Sequence, residues 1–358
     1  MHVFENKKEL LISIRSDKDF TSDFQDQILT EDILRIQIDL SYSKITKKGW
    51  SILGSLIKKK PFIPLRIYGH MTDFDLKLLE YVSDIENLSI EGLNLVNSKS
   101  LEQLRNLKSF CLSIDCNNLS FLDYIHKDLQ QLYIFSESRT PQKADLSPIS
   151  RFKNLTFLKI SHYGKNLISV VSGLSLLEEL FLSSIKVADL AFLIQLTHLK
   201  KLGLSSCNIS DYTILSRLKE LQYLVLYRAA SLQNIDFINE MTGLQFLFIQ
   251  SVNKLTAFPT ISSLTKLRKV ILYSMKSMND FTALSESKSL TDFVYYEFKT
   301  QKPEDFIPVL ENKNIRNVYL WAVKSIKYQN ELEELMMRYN RSNNYLQFLG
   351  DSDFEYRQ

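Results

Sequence analysis

The sequence is short of the residues that interrupt regular structure: nine glycines and seven prolines are spread over 358 residues. That scarcity excludes a loop-dominated or low-complexity architecture, and no long Ser/Gly/Pro stretch marks a linker. Cysteine is scarcer still. Cys111, Cys116 and Cys207 are odd in number, scattered and free of any C-x-x-C spacing, which suits a reducing compartment better than a disulfide framework. No apolar run reaches the roughly 18 residues of a membrane-spanning helix, and the opening "MHVFENKKELLISIRSD" has no basic stretch followed by an apolar core. A cytoplasmic location without membrane contact is therefore expected. A strong charge imbalance is also missing, since 44 basic and 41 acidic side chains leave a net charge of +3 and give no pull toward nucleic acid or anionic lipid.

Signatures of catalysis are lacking too. The nearest approach to a phosphate loop, Gly49 to Gly54 in "GWSILGS", has Ser55 where the lysine is required and sits inside an amphipathic helical pattern that explains its glycines by packing. His2, His70, His126, His162 and His198 never form H-E-x-x-H, and there is no G-x-S-x-G turn. "DSDFE" near the C-terminus alternates acids but lacks the glycine and spacing of a calcium loop. No enzymatic activity, metal or cofactor is expected.

What the chain has in abundance is apolar residues, 45% of the total, arranged with a period. Aligned on L-x-x-L-x-L, units begin at Ile33, Phe62, Ile85, Leu107, Leu129, Leu155, Leu177, Leu199, Leu221, Leu244, Leu267, Leu290 and Ile315, at spacings of 22 to 29 residues. The fourth site is apolar in every unit, from Ile36 through Leu202 to Val318, and so is the sixth, from Ile38 to Leu320, where Tyr295 is the one member with a hydroxyl. Self-similarity of this length marks a stacked array, because a short strand plus its return cannot bury its own apolar side. Period-two alternation sends sites four and six inward and sites three, five and seven outward onto one face of a parallel sheet. Returns such as "ISDYTILSRLKEL" (209 to 221) carry apolar residues at three- and four-residue steps, which predicts short helical or 3-10 segments.

With "LKKLGLSSCNISDYTILSRLKE", whose Ile209, Ser210 and Asp211 match an I-S-D element, and "DLSPI" at 145 to 149, the chain resembles the leucine-rich repeat family in its 22-residue, internalin-like bacterial class. The resemblance covers roughly residues 33 to 325. It implies an α/β leucine-rich repeat solenoid, a curved right-handed horseshoe with a parallel β-sheet on the concave face and short helical or 3-10 segments on the convex side. The family's inward asparagine ladder is mostly missing: Tyr163, Ile185, Cys207, Ala229, Val252 and Met275 stand at its site, so the turns need other hydrogen-bond partners. Fold carries over by resemblance, and function does not.

Three segments are expected. Residues 1–32, with "ELLISIRS" and a polar stretch, form an N-terminal cap, residues 33–325 form the array of about thirteen units, and residues 326–358 form a helical cap and tail. Trp50, Leu53, Leu56 and Ile57 predict a helix inside the long first unit, and Leu332, Leu335, Met336 and Tyr339 predict one near the end.

The outward sites carry the functional signal. From unit nine onward they hold Tyr223, Val225, Tyr227, Phe246, Phe248, Gln250, Lys269, Ile271, Tyr273, Asp292, Val294, Tyr296, Asn317, Tyr319 and Trp321, eight aromatics in fifteen against 11% for the chain. A smaller group is Tyr133, Phe135, Phe157 and Phe181, separated from the first by small or polar Lys201, Gly203 and Ser205. Arg228, Lys269, Asp292 and Glu297 are placed to form a charged rim. Aromatic anchors inside a polar rim suit a protein interface, whereas cross-strand packing of rings in a sheet is the plainer explanation. Cys111 and His162 also face outward, but with a whole unit between them, two strand steps or roughly 10 Å, they cannot share a metal. The face lacks the basic groove that single-stranded nucleic acid needs. The expectation is a non-enzymatic protein that binds another protein, in its sharper form an inhibitory or immunity-type role. A regulatory scaffold subunit, or a secreted bacterial effector or adhesin, is the alternative, and two copies of the chain pairing through the same face is a further arrangement it allows.

Overall fold

The protein is described by a computed structural model over residues 10–42, 44–136, 138 and 142–343. The acidic stretch at 351–355 and the outer parts of both expected caps, residues 1–9 and 344–358, lie outside the described residues. The chain divides into two compact units at the Leu177/Glu178 junction. Among the described residues no helix is long and apolar enough to cross a membrane.

Strands recur because each coil presents two apolar residues on one side and leaves the other side to polar and aromatic residues. In the first unit β1 (Leu10–Ile14), β2 (Ile33–Asp39), β3 (Leu65–Asp75), β4 (Asn87–Val96), β5 (Ser109–Ser113), β6 (Gln131–Phe135) and β8 (Phe157–Ser161) pair in parallel in that order. The short β7 (Gln142–Asp145) and β9 (Tyr163–Lys165) form a separate pair. In the second unit the parallel order is β10 (Glu179–Ser183), β12 (Lys201–Ser205), β14 (Tyr223–Tyr227), β15 (Phe246–Gln250), β16 (Lys269–Tyr273), β17 (Asp292–Phe298) and β18 (Asn317–Ala322). Here β11 (Lys186–Val187) and β13 (Asn208–Ile209) make the small pair.

The inward register is as the repeat predicts. Every fourth-site residue from Ile36 to Val318 and every sixth-site residue from Ile38 to Leu320 is at most 2% exposed. Each such aliphatic side chain contributes about 1.5–3 kcal/mol by leaving water, and the returns add further buried apolar residues such as Leu190, Leu193 and Leu215. The first site differs at the N-terminal end. Phe62 is 59% exposed, and its neighbour Ile63 takes the buried position after the turn that leaves the preceding helix. A strand also precedes the first unit read from the sequence: Ile12 and Ile14 of β1 lie opposite Ile36 and Ile38 and share their burial.

Helix α1 (Ser22–Thr30) starts at Thr21, whose hydroxyl accepts the Phe24 N–H at 3.2 Å. Helix α2 (Lys47–Lys59) buries Trp50, Leu53, Leu56 and Ile57, the stripe its spacing predicts. Its Gly54 is required by a close approach, because a Cβ there would fall 1.8 Å from the Tyr81 carbonyl oxygen. The short helix α3 (Leu167–Ser172) replaces the 3-10 return in its coil, α4 (Ile307–Glu311) continues directly from a 3-10 turn at Pro303–Phe306, and α5 (Ile326–Arg338) buries Leu332, Leu335 and Met336 while Tyr339 is half-buried.

The returns are 3-10 turns, for example Ser147–Arg151, Ala191–Gln195 and Thr213–Arg217. An acidic side chain opens several of them: Asp145, Asp189, Asp211 and Asp280 accept the backbone N–H two residues on at 2.7 to 3.0 Å, and elsewhere Asn118 and Asn234 likewise accept the N–H two residues on. This gives the aspartate of the I-S-D element a physical role. Hydrogen bonds from Ser147 and Asn166 hold the Asp145 carboxyl down at about 2, and Asp75, Asp211 and Asp280 are likewise held below the ordinary 3.8 by Asn97, Thr213 and Thr282.

The missing asparagine ladder is replaced piecemeal by buried donors. Tyr163 donates its hydroxyl to the Ile114 carbonyl at 2.7 Å, and the Cys207 thiol points at the Leu182 carbonyl at 3.3 Å. Tyr295 donates to Met275 at 2.7 Å, and Gln301 Nε2 donates to Met275 and Met278 at 3.0 and 2.8 Å.

Two outcomes test this account. Gly54→Ala is expected to cost about 3 kcal/mol by overpacking against backbone, read as a lower urea midpoint with unchanged slope. The aspartates have folded-state values below the unfolded one, so their stabilisation is complete above 3.8 and is lost as pH falls through the lowered folded values, about 2 for Asp145. The Asp75→Asn/Asp211→Asn/Asp280→Asn variant keeps the acceptor oxygens, so its melting temperature should fall less than that of the wild type across this window.

Candidate functional site

The in-register ladders of the second unit line its outward side chains into three rows. The first is Glu179, Lys201, Tyr223, Phe246, Lys269, Asp292, Asn317, and the second Phe181, Gly203, Val225, Phe248, Ile271, Val294, Tyr319. The third is Ser183, Ser205, Tyr227, Gln250, Tyr273, Tyr296, Trp321. Neighbours within a row are about 4.8 Å apart, so each side chain packs first on its own row.

The first row is a continuous chain of contacts over much of its length. Lys201 pairs with Glu179 at 3.1 Å and sits 5.0 Å from the Tyr223 ring centre. Tyr223 stacks on Phe246 at 4.5 Å and 14°. At the far end Asn317 donates to Asp292 at 2.7 Å. Lys269, expected on an exposed rim, is instead only 3% exposed, because strand pairing wedges it between Phe246 and Asp292, which cover its methylene stem. Asp292 is half-buried in the same row.

The second row is closed over. Ile271 and Val294 are buried although they face outward, and Phe248 and Tyr319 are half-buried. Gly203 does not leave a gap between aromatic groups: the Phe181 ring lies over it, so that a Cβ on Gly203 would meet Phe181 Cδ1 at 2.3 Å.

The third row keeps its edges open. Tyr227 and Tyr296 are half-buried, Tyr273 stacks on Tyr296 at 4.1 Å and 17°, and the row ends at Trp321, 43% exposed. Trp321, Val323 and Ile326 leave β18 as three exposed apolar side chains within six residues. The backbone there is closed, since the Asn343 amide both accepts from Leu320 N–H at 3.1 Å and donates to Leu320 C=O at 2.8 Å. Beside the row, Arg228 is exposed with its guanidinium 4.8 Å over the Tyr227 ring, and Glu297 accepts the Ser274 hydroxyl at 3.2 Å. Burial and the Glu297 carboxylate beside it push the Tyr273 hydroxyl up to about 12. Of the four expected rim residues, Arg228 is exposed, Asp292 and Glu297 are half-buried and Lys269 is buried.

In the first unit Tyr133 stacks on Phe157 at 4.4 Å, both half-buried, and Phe135 is half-buried in the next row. The sequence reading missed the cations of the same face, Lys159 next to Tyr133 in its row and, three and four strands away, Arg66 and Arg35. All occupy outward sites, and the alternation that located the aromatic residues locates these as well. Their juxtaposition depends on which strands are adjacent. Among the described residues no group of three or more His, Cys, Asp or Glu is placed to hold a metal ion.

Neither a family model nor a curated protein matches the sequence. Solved structures do. An internalin (inlF) of Listeria monocytogenes aligns over 87% of this chain and 87% of its own at 16% identity with a TM-score of 0.55. A leucine-rich repeat protein of Leptospira interrogans aligns over 89% of this chain and 91% of its own at 16% identity, TM-score 0.47. The internalin inlC2 of Listeria monocytogenes matches 56% of this chain and 84% of its own at 20% identity, TM-score 0.41. With the repeat and the parallel ladders, the first of these places the chain among leucine-rich repeat folds of the internalin kind.

The Phe181 lid over Gly203 gives a test. Gly203→Ala is expected to destabilise by about 1–3 kcal/mol through overpacking, and adding Phe181→Ala should recover most of that loss, an interaction visible in a double-mutant cycle of urea unfolding.

Proposed function

We propose that this leucine-rich repeat protein binds another protein against the open edge of the third outward row, at Tyr227, Arg228, Tyr296 and Trp321, and acts by recognition and occlusion in an inhibitory or immunity-type role. Trp321 carries the reading. It is a large apolar ring left 43% exposed beside Val323 and Ile326, at a place where the strand's backbone has already been closed by Asn343. Tryptophan and tyrosine bury much area at low rotamer cost, and Arg228 and Glu297 supply a polar edge to set register. The inner rings Tyr223 and Phe246 serve as a stiff platform by stacking on one another, so the surface is preorganised and loses little entropy on binding. Nucleophilic chemistry is disfavoured at two thiols, because burial pushes Cys111 and Cys207 up to about 11 and leaves little thiolate at neutral pH.

The test compares baits. Trp321→Ala/Arg228→Asn removes two exposed groups and suits the left-handed backbone at residue 228, φ 51°, so its melting temperature should match the wild type. Affinity capture from the source cells, read by quantitative mass spectrometry, should show one dominant protein on wild-type bait that is depleted about tenfold or more on the variant. Equal recovery on both baits would sink the assignment of this edge.

A further inference from the structure

The outward face of the first unit carries a different chemistry. Arg66, on β3, is fully engaged: it forms a two-point ion pair with Glu91, with Nε to Oε1 at 2.9 Å, and its guanidinium lies 4.2 Å from the Tyr68 ring centre. Glu91 also accepts the Ser89 hydroxyl at 2.7 Å. Arg35, on the adjacent strand β2, is half-buried beside this pair, and its Nε is buried with no hydrogen-bond partner among the described residues. A buried guanidinium N–H with nothing to donate to is a costly arrangement that an incoming acceptor would relieve. Burial and the neighbouring Arg66 charge both weigh against Arg35 holding its proton, and Glu91, already committed to Arg66, offsets them only in part.

The surroundings select the acceptor. Along the middle row, Arg66 is followed by Ser89, Cys111 and Tyr133 before the next cation, Lys159. A phosphate-bearing polymer needs a run of cations, and this row interrupts it; the Glu91 carboxylate alongside also repels a dianion. A singly charged carboxylate presents the right charge for one unpartnered guanidinium N–H, and the ring of Tyr68 offers apolar surface to the carbons that carry it.

We propose that Arg35 is a receptor for a glutamate or aspartate side chain of an acidic protein segment, which lies across β2 and β3 and accepts the Arg35 Nε–H. This goes beyond the aromatic-edge reading and is independent of it, since no residue is shared.

Fluorescence anisotropy of a labelled hexaglutamate peptide, at low ionic strength with the full chain, tests it. Hexaglutamate should bind the wild type, hexalysine should not, and added salt should weaken the complex. Arg35→Gln should reduce affinity about tenfold or more, and Arg35→Lys, which keeps the charge but lacks the guanidinium edge, should fall between. Thermal melts of both variants confirm that they are folded. Inorganic phosphate should fail to displace the peptide when present in equal amount. Unchanged binding in Arg35→Gln, absence of binding to the wild type, equal binding of hexalysine, or displacement by equal phosphate would each overturn the proposal.

Discussion

Everything in this molecule follows from the inability of one coil to bury its own apolar side. A five-residue strand with two inward leucines or isoleucines has solvent on its flanks until another strand pairs with it in register. Pairing in register brings the same two sites together coil after coil, as Leu202, Leu224 and Leu247 come together across β12, β14 and β15. The core is thus a stack of equivalent contacts in each unit, and stability is set by neighbours in the manner of repeat proteins. The same constraint orders the outward face, because side chains that share a register share a row whatever their chemistry.

Closing each coil raises a second demand. In the second unit the residue after the outward row, Ser184, Ser206, Arg228, Ser251, Ser274 or Glu297, turns the chain with φ between 50° and 55°. None is glycine, so each such turn costs about 1–2 kcal/mol of backbone strain. The return is a hydrogen bond to the next coil: the amides of Ser184, Ser206, Arg228, Ser251 and Ser274 donate to the third-row carbonyls of the following strands at 2.7 to 3.0 Å. Bonds of this kind extend each ladder by one step, and with the scattered donors Tyr163, Cys207, Tyr295 and Gln301 they make a regular asparagine unnecessary.

Gly54→Ala and the acid titration probe features that were unevenly legible in the sequence. The inward sites were plain, because period-two alternation repeated thirteen times leaves no other register. The α2 stripe was plain for the same reason at a helical period. Phe62 misled, since the turn after α2 shifts the buried position by one residue to Ile63, and a shift of one is invisible when both residues are apolar. On the outward face, alternation gave the direction of Lys269 and Asp292 but not their burial, which depends on the side chains to left and right in the row. Gly203 read as a gap, and only strand adjacency reveals that Phe181 fills it. Arg35 escaped notice because an unpaired N–H is a property of its surroundings, and no pattern in one strand records it.

The row geometry also decides which aromatic residues are available to a partner. Rings in a protein often meet edge to face, but strand spacing forces those of a row into parallel stacks, at 14° for Tyr223 on Phe246 and 17° for Tyr273 on Tyr296. Stacking hides both faces of every ring that has a strand on each side. A ring on the last strand has one face covered and one bare, and β18 is last in the sheet order. Trp321 occupies that place. A residue needed only to finish the stack could be small or polar there, as Asn317 is in the first row and on the same strand. Placing the largest side chain where half of its apolar surface meets water is unfavourable for the isolated chain by the area it exposes, and the loss is recovered only when something covers it.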